Sequence, residues 1–178
     1  MKFELDYKIE LDDEMLDSTT IESNPESYRD SLGDDLSGIE GALVLRIDGQ
    51  EYCAEYVDPL LRLCDQFISK LRWVLAGDTE TVAYRNSEHC FAFVPAGESV
   101  ELAFFTGTEM EIEDYVLDPT NIHLDLFAPA AISVTERVLE VMRKLAPNGC
   151  DGNVDCQDLQ ASLKEARDAW KDYQLHRR

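Results

Sequence analysis

At 178 residues, with 44 % hydrophobic and 9 % aromatic side chains, the chain can bury a core and is too apolar for an intrinsically disordered segment. Its formal net charge of −21 argues against direct binding to nucleic acid or an anionic membrane, where Lys and Arg must neutralise phosphates. No run approaches the roughly 20 apolar residues of a membrane span, and the start MKFELD lacks the apolar stretch of a signal peptide.

The five cysteines (Cys53, Cys64, Cys90, Cys150 and Cys156) are odd in number and form no CxxC pair. Free, mostly buried thiols in a reducing cytoplasm are therefore expected, with a Cys150–Cys156 bridge across a Gly-containing loop as the alternative.

In chain order, Phe3, Leu5, Tyr7, Ile9 and Leu11 alternate with Glu4, Asp6, Lys8 and Glu10, the pattern of a half-buried strand. Residues 12–38 read as a long acidic flap or mobile connection. It has room for one short helix with Asn24 as N-cap, Pro25 in the first turn and Gly33 as stop. Gly41–Ile47 and Gln50–Tyr56 flank Asp48-Gly49, the dipeptide of a type I′ hairpin turn. Asp58-Pro59 reads as N-cap and first residue of a helix carrying Leu60, Cys64, Phe67, Leu71 and Val74 on one stripe and ending at Gly77.

Five strand-like runs follow: Thr81–Arg85, Cys90–Val94, Val100–Thr106, Met110–Leu117 and Asn121–Phe127, with short turn signals between them. Spacings this short favour an antiparallel meander. Ser133-Val134-Thr135-Glu136 reads as a capping box opening a second long helix. After a loop over residues 147–155, Leu159, Leu163, Ala166, Trp170 and Tyr173 mark a C-terminal helix over 156–174. The whole is read as a single α+β domain spanning residues 1–178, an antiparallel sheet of about six to eight strands with helices packed on one face.

The charge is unevenly placed. Residues 137–178 hold 8 Lys and Arg against 7 Asp and Glu, whereas the other 136 residues hold 8 against 30. Between Arg85 and Arg137 there is no Lys or Arg and there are ten carboxylates. Such a region repels itself and attracts cationic partners over long range. On alternating strands, Ile122, Leu124 and Leu126 face inward with His123 and Asp125 outward. Likewise Met110 and Ile112 oppose Glu111 and Glu113, whose carboxylates stand roughly 6.7 Å apart on one face. The irregular run Asp114–Leu117 signals a bulge. Glu101, Glu111, Glu113, Asp114, Asp118 and Asp125, with His123 at their centre, are the candidate partner-binding residues. The competing reading is a solvated face whose charges only protect an open sheet.

The hairpin Gly41–Ile47/Asp48-Gly49/Gln50–Tyr56, the helix ending Trp73-Val74-Leu75-Ala76-Gly77 and the strand meander after it resemble the arrangement of bacterial immunity proteins that neutralise polymorphic toxins. The resemblance covers about residues 39–146 and carries over no contact residue. It implies a compact, acidic, non-catalytic cytoplasmic protein without cofactor, binding a basic, toxin-like partner over or beside the toxin's active site.

Two alternatives come from other classes. One is a metal-dependent hydrolase using His89, His123 and Asp125. The other is a structural adaptor binding through its C-terminal helix. Asp151-Gly152-Asn153-Val154-Asp155-Cys156-Gln157-Asp158 resembles half of a calcium loop. Pro147 and Gly149 at its first and third positions leave too few oxygen ligands, so a turn with Asp155 as N-cap of the last helix is expected instead.

Overall fold

The structure, a computed structural model, describes residues 1–32, 35–146 and 148–177. Gly33, with the helix stop expected there, and Asp34, Pro147 and Arg178 lie outside the described residues.

The chain begins with β1 (Phe3–Leu11), whose odd-numbered residues are all buried and whose even-numbered ones are half-buried, as the alternation requires. A hairpin at Asp12-Asp13, both in left-handed conformation, leads to β2 (Glu14–Asp17). Two short helices follow, α1 (Ser18–Ser23) and α2 (Arg29–Leu32), with 3-10 turns at Pro25–Tyr28 and Leu36–Gly38. Ile21 and Leu36 are fully buried, and that apolar anchorage draws the acidic segment onto the core. Asn24 precedes the Pro25 turn but makes no side-chain cap.

Next come β3 (Glu40–Ile47) and β4 (Gln50–Tyr52), joined through Asp48 (φ 49°) and Gly49 (φ 89°), the two positive φ values that the type I′ turn needs. The short β5 (Asp58–Pro59) pairs with the start of β3 and runs into α3 (Leu60–Ala76), closed by Gly77 at φ 98°. Four strands follow: β6 (Glu80–Ala83), β7 (His89–Ala96), β8 (Ser99–Thr108) and β9 (Glu111–His123). The chain closes with α4 (Leu124–Leu145) and α5 (Val154–His176).

The fold is α+β with antiparallel pairing throughout, but the strands divide into two sheets rather than one. The first has order β2-β1-β3-β4, with β5 also on β3; the second has order β6-β7-β8-β9. Both share one contiguous apolar cluster with the long helices. Phe67 of α3 meets Phe91 and Phe93 edge-on, while Phe127 of α4 packs at 6.0 Å on Phe3, 6.0 Å on Phe67 and 5.9 Å on Phe93. Phe127 thus joins the two sheets through α3.

The run Asn121–Phe127 is not one strand. Backbone pairing ends at His123, whose Nδ1 accepts a hydrogen bond from Asp125 N and so caps α4. That helix continues through Pro129 and past Ser133, which sits mid-helix instead of at a capping box. Burial of Leu124, Phe127, Ala128 and Ala131 outweighs the one backbone hydrogen bond that Pro129 removes. Likewise Asn153, not Asp155, caps α5, its Oδ1 accepting from Cys156 N.

Helix α5 lies on α3 and α4, burying Leu159, Leu163 and Ala166 and half-burying Trp170 and Tyr173. The apolar stripe that an adaptor would offer is occupied internally. All five cysteines are buried and free. At the α3–α5 contact, Arg62 Nε donates to Asp155 Oδ1 at 3.2 Å, while Asp155 Oδ2 and Asp65 Oδ1 are buried without a partner.

Burial, then the nearby Asp158 and Asp155 charges, raise the Asp65 carboxyl above the ordinary aspartate range, against a lowering hydrogen bond from Ser162. With its folded pKa raised, Asp65 favours the folded state while protonated, and that advantage is lost as pH rises through the folded value. Asp65→Asn is therefore expected to raise the melting temperature at pH 7, and the gain should shrink as pH falls through the raised folded value toward the ordinary aspartate value. An equal gain at every pH would contradict it.

Candidate functional site

Strand β9 is an edge of the second sheet, and its pairing with β8 slips three times. The register shifts lie between Thr106 and Gly107, between Phe104 and Phe105, and between Leu102 and Phe104 of β8. Each slip inserts an extra residue into β9. The irregularity expected at Asp114–Leu117 is part of this series, and Asp118-Pro119 falls in the last slip instead of ending the strand. Repeated re-aiming keeps Leu117 and Ile122 on the core and sets Tyr115 against Phe105 on the other side, with ring centroids 6.2 Å apart.

The hairpin joining β8 and β9 is held from below. Buried Asp58, rather than capping α3, accepts hydrogen bonds from the backbone N–H groups of Arg85 (2.9 Å) and Asn86 (2.8 Å) through Oδ1. Burial pushes its carboxyl up, partly offset by those two bonds. Asn86 Nδ2 donates to Glu40 of the first sheet at 2.9 Å, and Glu88 O accepts from Gly107 N at 2.8 Å.

Gly107 has φ 133°, and a Cβ there would sit 2.2 Å from Glu111 O, so only glycine fits. Gly107→Ala is expected to destabilise by about 1–3 kcal/mol in urea unfolding. Gly49→Ala, where a Cβ meets open space, should cost less because it carries only the φ penalty. Equal losses would contradict the crowding.

This anchored hairpin carries the candidate residues. Glu111, Glu113, Asp114 and Asp118 are exposed, and Glu101 is half-exposed on β8. Among the described residues none of these five has a Lys, Arg or His within ion-pairing distance. Asp114 Oδ1 accepts from the backbone N–H of Tyr115. Asp125 stands apart, on the first turn of α4, held with Glu98 by Arg177 at 3.0 and 2.8 Å. His123 lies between the same two carboxylates at 3.5 and 3.6 Å. The pair His123–Asp125 therefore belongs to a cluster at one end of β9 in which Arg177 bridges two carboxylates, while the unpaired acids crowd the middle and the hairpin end.

The inward placement expected for Met110 and Ile112 does not hold. Met110 is 95 % exposed, Ile112 48 % and Tyr115 39 %: Met110 lies in the turn before β9 begins, and the other two lie on the edge strand. Three large apolar side chains thus alternate with Glu109, Glu111, Glu113 and Asp114. Beside them, between the turn joining β6 to β7 and the hairpin, lies a cleft of about 390 Å³ whose lining includes Ala83, Glu88, Cys90, Glu109 and Met110. Glu88 and Glu109 carry no periodic pattern that marks them in the sequence. Their signal was position, since each adjoins a turn dipeptide, Asn86-Ser87 or Gly107-Thr108.

Elsewhere only about half of the described carboxylates are ion-paired, and Glu10, Asp12, Asp13 and Glu14 around the β1–β2 hairpin are among those that are not. Asp6 binds Arg46 at 2.8 Å and Arg137 at 2.9 Å, Arg137 also binds Glu22, and Glu22 accepts from the Tyr7 hydroxyl at 2.7 Å. Burial, reinforced by that bond, pushes the Tyr7 phenol up. This network braces β1, β3, α1 and α4 and leaves each of its charges with a partner.

The metal constellation is not formed. His89 pairs with Thr106 at one end of β8 and His123 with Ser99 at the other, seven residue steps or about 23 Å apart. Among the described residues no cluster of three or more His, Cys, Asp or Glu side chains is arranged to hold a metal ion. No described helix is long and apolar enough to cross a membrane. Comparison with protein-family models, curated proteins and solved structures gives no match.

Proposed function

We propose that the chain is a non-catalytic acidic binding protein that captures a basic protein partner on the β8–β9 hairpin, and that it acts as a cytoplasmic inhibitor of the immunity type against a toxin. The observation that carries the reading is the interleaving of unpaired carboxylates with exposed Met110, Ile112 and Tyr115. Charges, bulges and a proline are enough to keep an edge strand from aggregating. Three exposed apolar side chains serve no such purpose and add to the hazard. A protein interface, by contrast, needs apolar anchors that lose their water and charges around them that set approach and specificity. Glu101, Glu111, Glu113, Asp114 and Asp118 supply the charges, while His123 and Asp125 form a margin tied to Arg177.

The test is complex formation with a catalytically inactivated basic nuclease toxin, followed by calorimetry and by protection of its activity in the active form. The reading expects a one-to-one complex that weakens with salt and blocks the toxin. Absence of any complex, or a complex whose affinity does not change with salt, would refute it.

A further inference from the structure

The cleft beside the hairpin has a chemistry of its own. Its walls are largely apolar, from Ala83, Cys90 and Met110, with Tyr84 also in the lining, and its two carboxylates are Glu88 and Glu109. At about 390 Å³ it is a small-ligand volume rather than a groove for a chain. Neither carboxylate has an ion-pairing partner among the described residues. Arg85, on the same turn, is exposed and is not among the lining residues. A side chain that fits such a site buries methylenes against apolar walls and keeps a positive head at the carboxylates.

We infer that this cleft receives one long cationic side chain, arginine or lysine, from the basic partner. The inference rests on the proposed docking role of the hairpin and adds an anchoring point to it. Met110, exposed to water in the free protein, becomes a wall of the filled cleft. His89 also lines the site; burial holds its imidazole below the usual histidine range, so it stays uncharged at neutral pH and does not repel the incoming cation. The turn that carries Glu88 is fixed by Asp58 and tied to Gly107, so the cleft exists before the partner arrives.

The probe is tetra-arginine amide, followed by amide chemical shifts and by affinity. Ala83→Phe plugs the cleft from an exposed strand position that tolerates an aromatic residue. Glu88→Gln with Glu109→Gln removes the carboxylates from two exposed positions. The expected result is shifts concentrated at residues 83–90 and 107–110, with roughly fivefold weaker binding in each variant. Melting curves of both variants should match the parent, and the double Gln variant reports on the cleft if the plug fails to fold. If both leave binding unchanged while Glu111→Lys with Glu113→Lys weakens it, the cleft inference falls and the docking surface stands. If none of the three weakens it, both fall.

Discussion

Exchanging Glu111 and Glu113 together for lysine is expected to slow association with a cationic partner by roughly ten- to a hundredfold at low salt, the range over which electrostatic steering acts. Both side chains are exposed and unpaired among the described residues, so the exchange breaks no internal contact. The melting temperature should stay the same or rise slightly as self-repulsion falls. The slowing should fade as salt shortens the Debye length to a few ångström. Dissociation should change less, because rim charges act chiefly on the encounter. Stopped-flow mixing separates the two rates. An unchanged association rate at low salt would contradict the role given to these residues.

Replacing Phe127 by alanine is expected to cost about 3–5 kcal/mol, a large share of the stability of an ordinary domain. Phe127 is nearly fully buried and touches β1, α3 and β7 at once through Phe3, Phe67 and Phe93. A cavity there loosens the seam between the two sheets, which no backbone ladder crosses among the described residues. Urea unfolding measures the loss directly. A cost below about 1 kcal/mol would mean that the surrounding side chains collapse into the space and that Phe127 is not the joint described here.

Local pattern made several elements readable. The alternation of Phe3 to Leu11, the Asp48-Gly49 turn and the stripe of α3 each follow from a short-range rule, and each is where the rule puts it. The misreadings share one cause. Ile122, Leu124 and Leu126 alternate like a strand, yet Leu124, Phe127, Ala128 and Ala131 are also spaced like a helix, and Pro129 hides the second pattern. Packing between sheet and helix decides the matter, and packing is not local. Asp58 has the residue type of a cap, but its acceptors serve a turn some 27 residues away. The division into two sheets and the edge position of β9 are likewise properties of pairing partners, invisible in any one segment.

The acidic residues were legible as a group because they fall in a stretch without Lys or Arg. Their separation into two sets was not. Arg177 and Glu98 are far from Asp125 in sequence or on another loop, and their meeting offsets part of the charge at one end of β9 while leaving the hairpin bare. Exposure of Met110 and Ile112 follows from their place at the tip and edge of the sheet, which periodicity does not report. These two tertiary facts turn a diffuse acidic stretch into a localised surface.

That localisation is tested most directly by comparing two double variants with the same change in net charge. One is Glu111→Lys with Glu113→Lys; the other is Glu14→Lys with Asp151→Lys, exposed positions outside the hairpin. Association rates of each with a single inactivated basic nuclease are measured across a salt series. The hairpin account predicts that the first variant is slowed many times more than the second at low salt, with the gap closing as salt rises. Equal slowing of both would show that bulk charge alone draws the partner, and would contradict it.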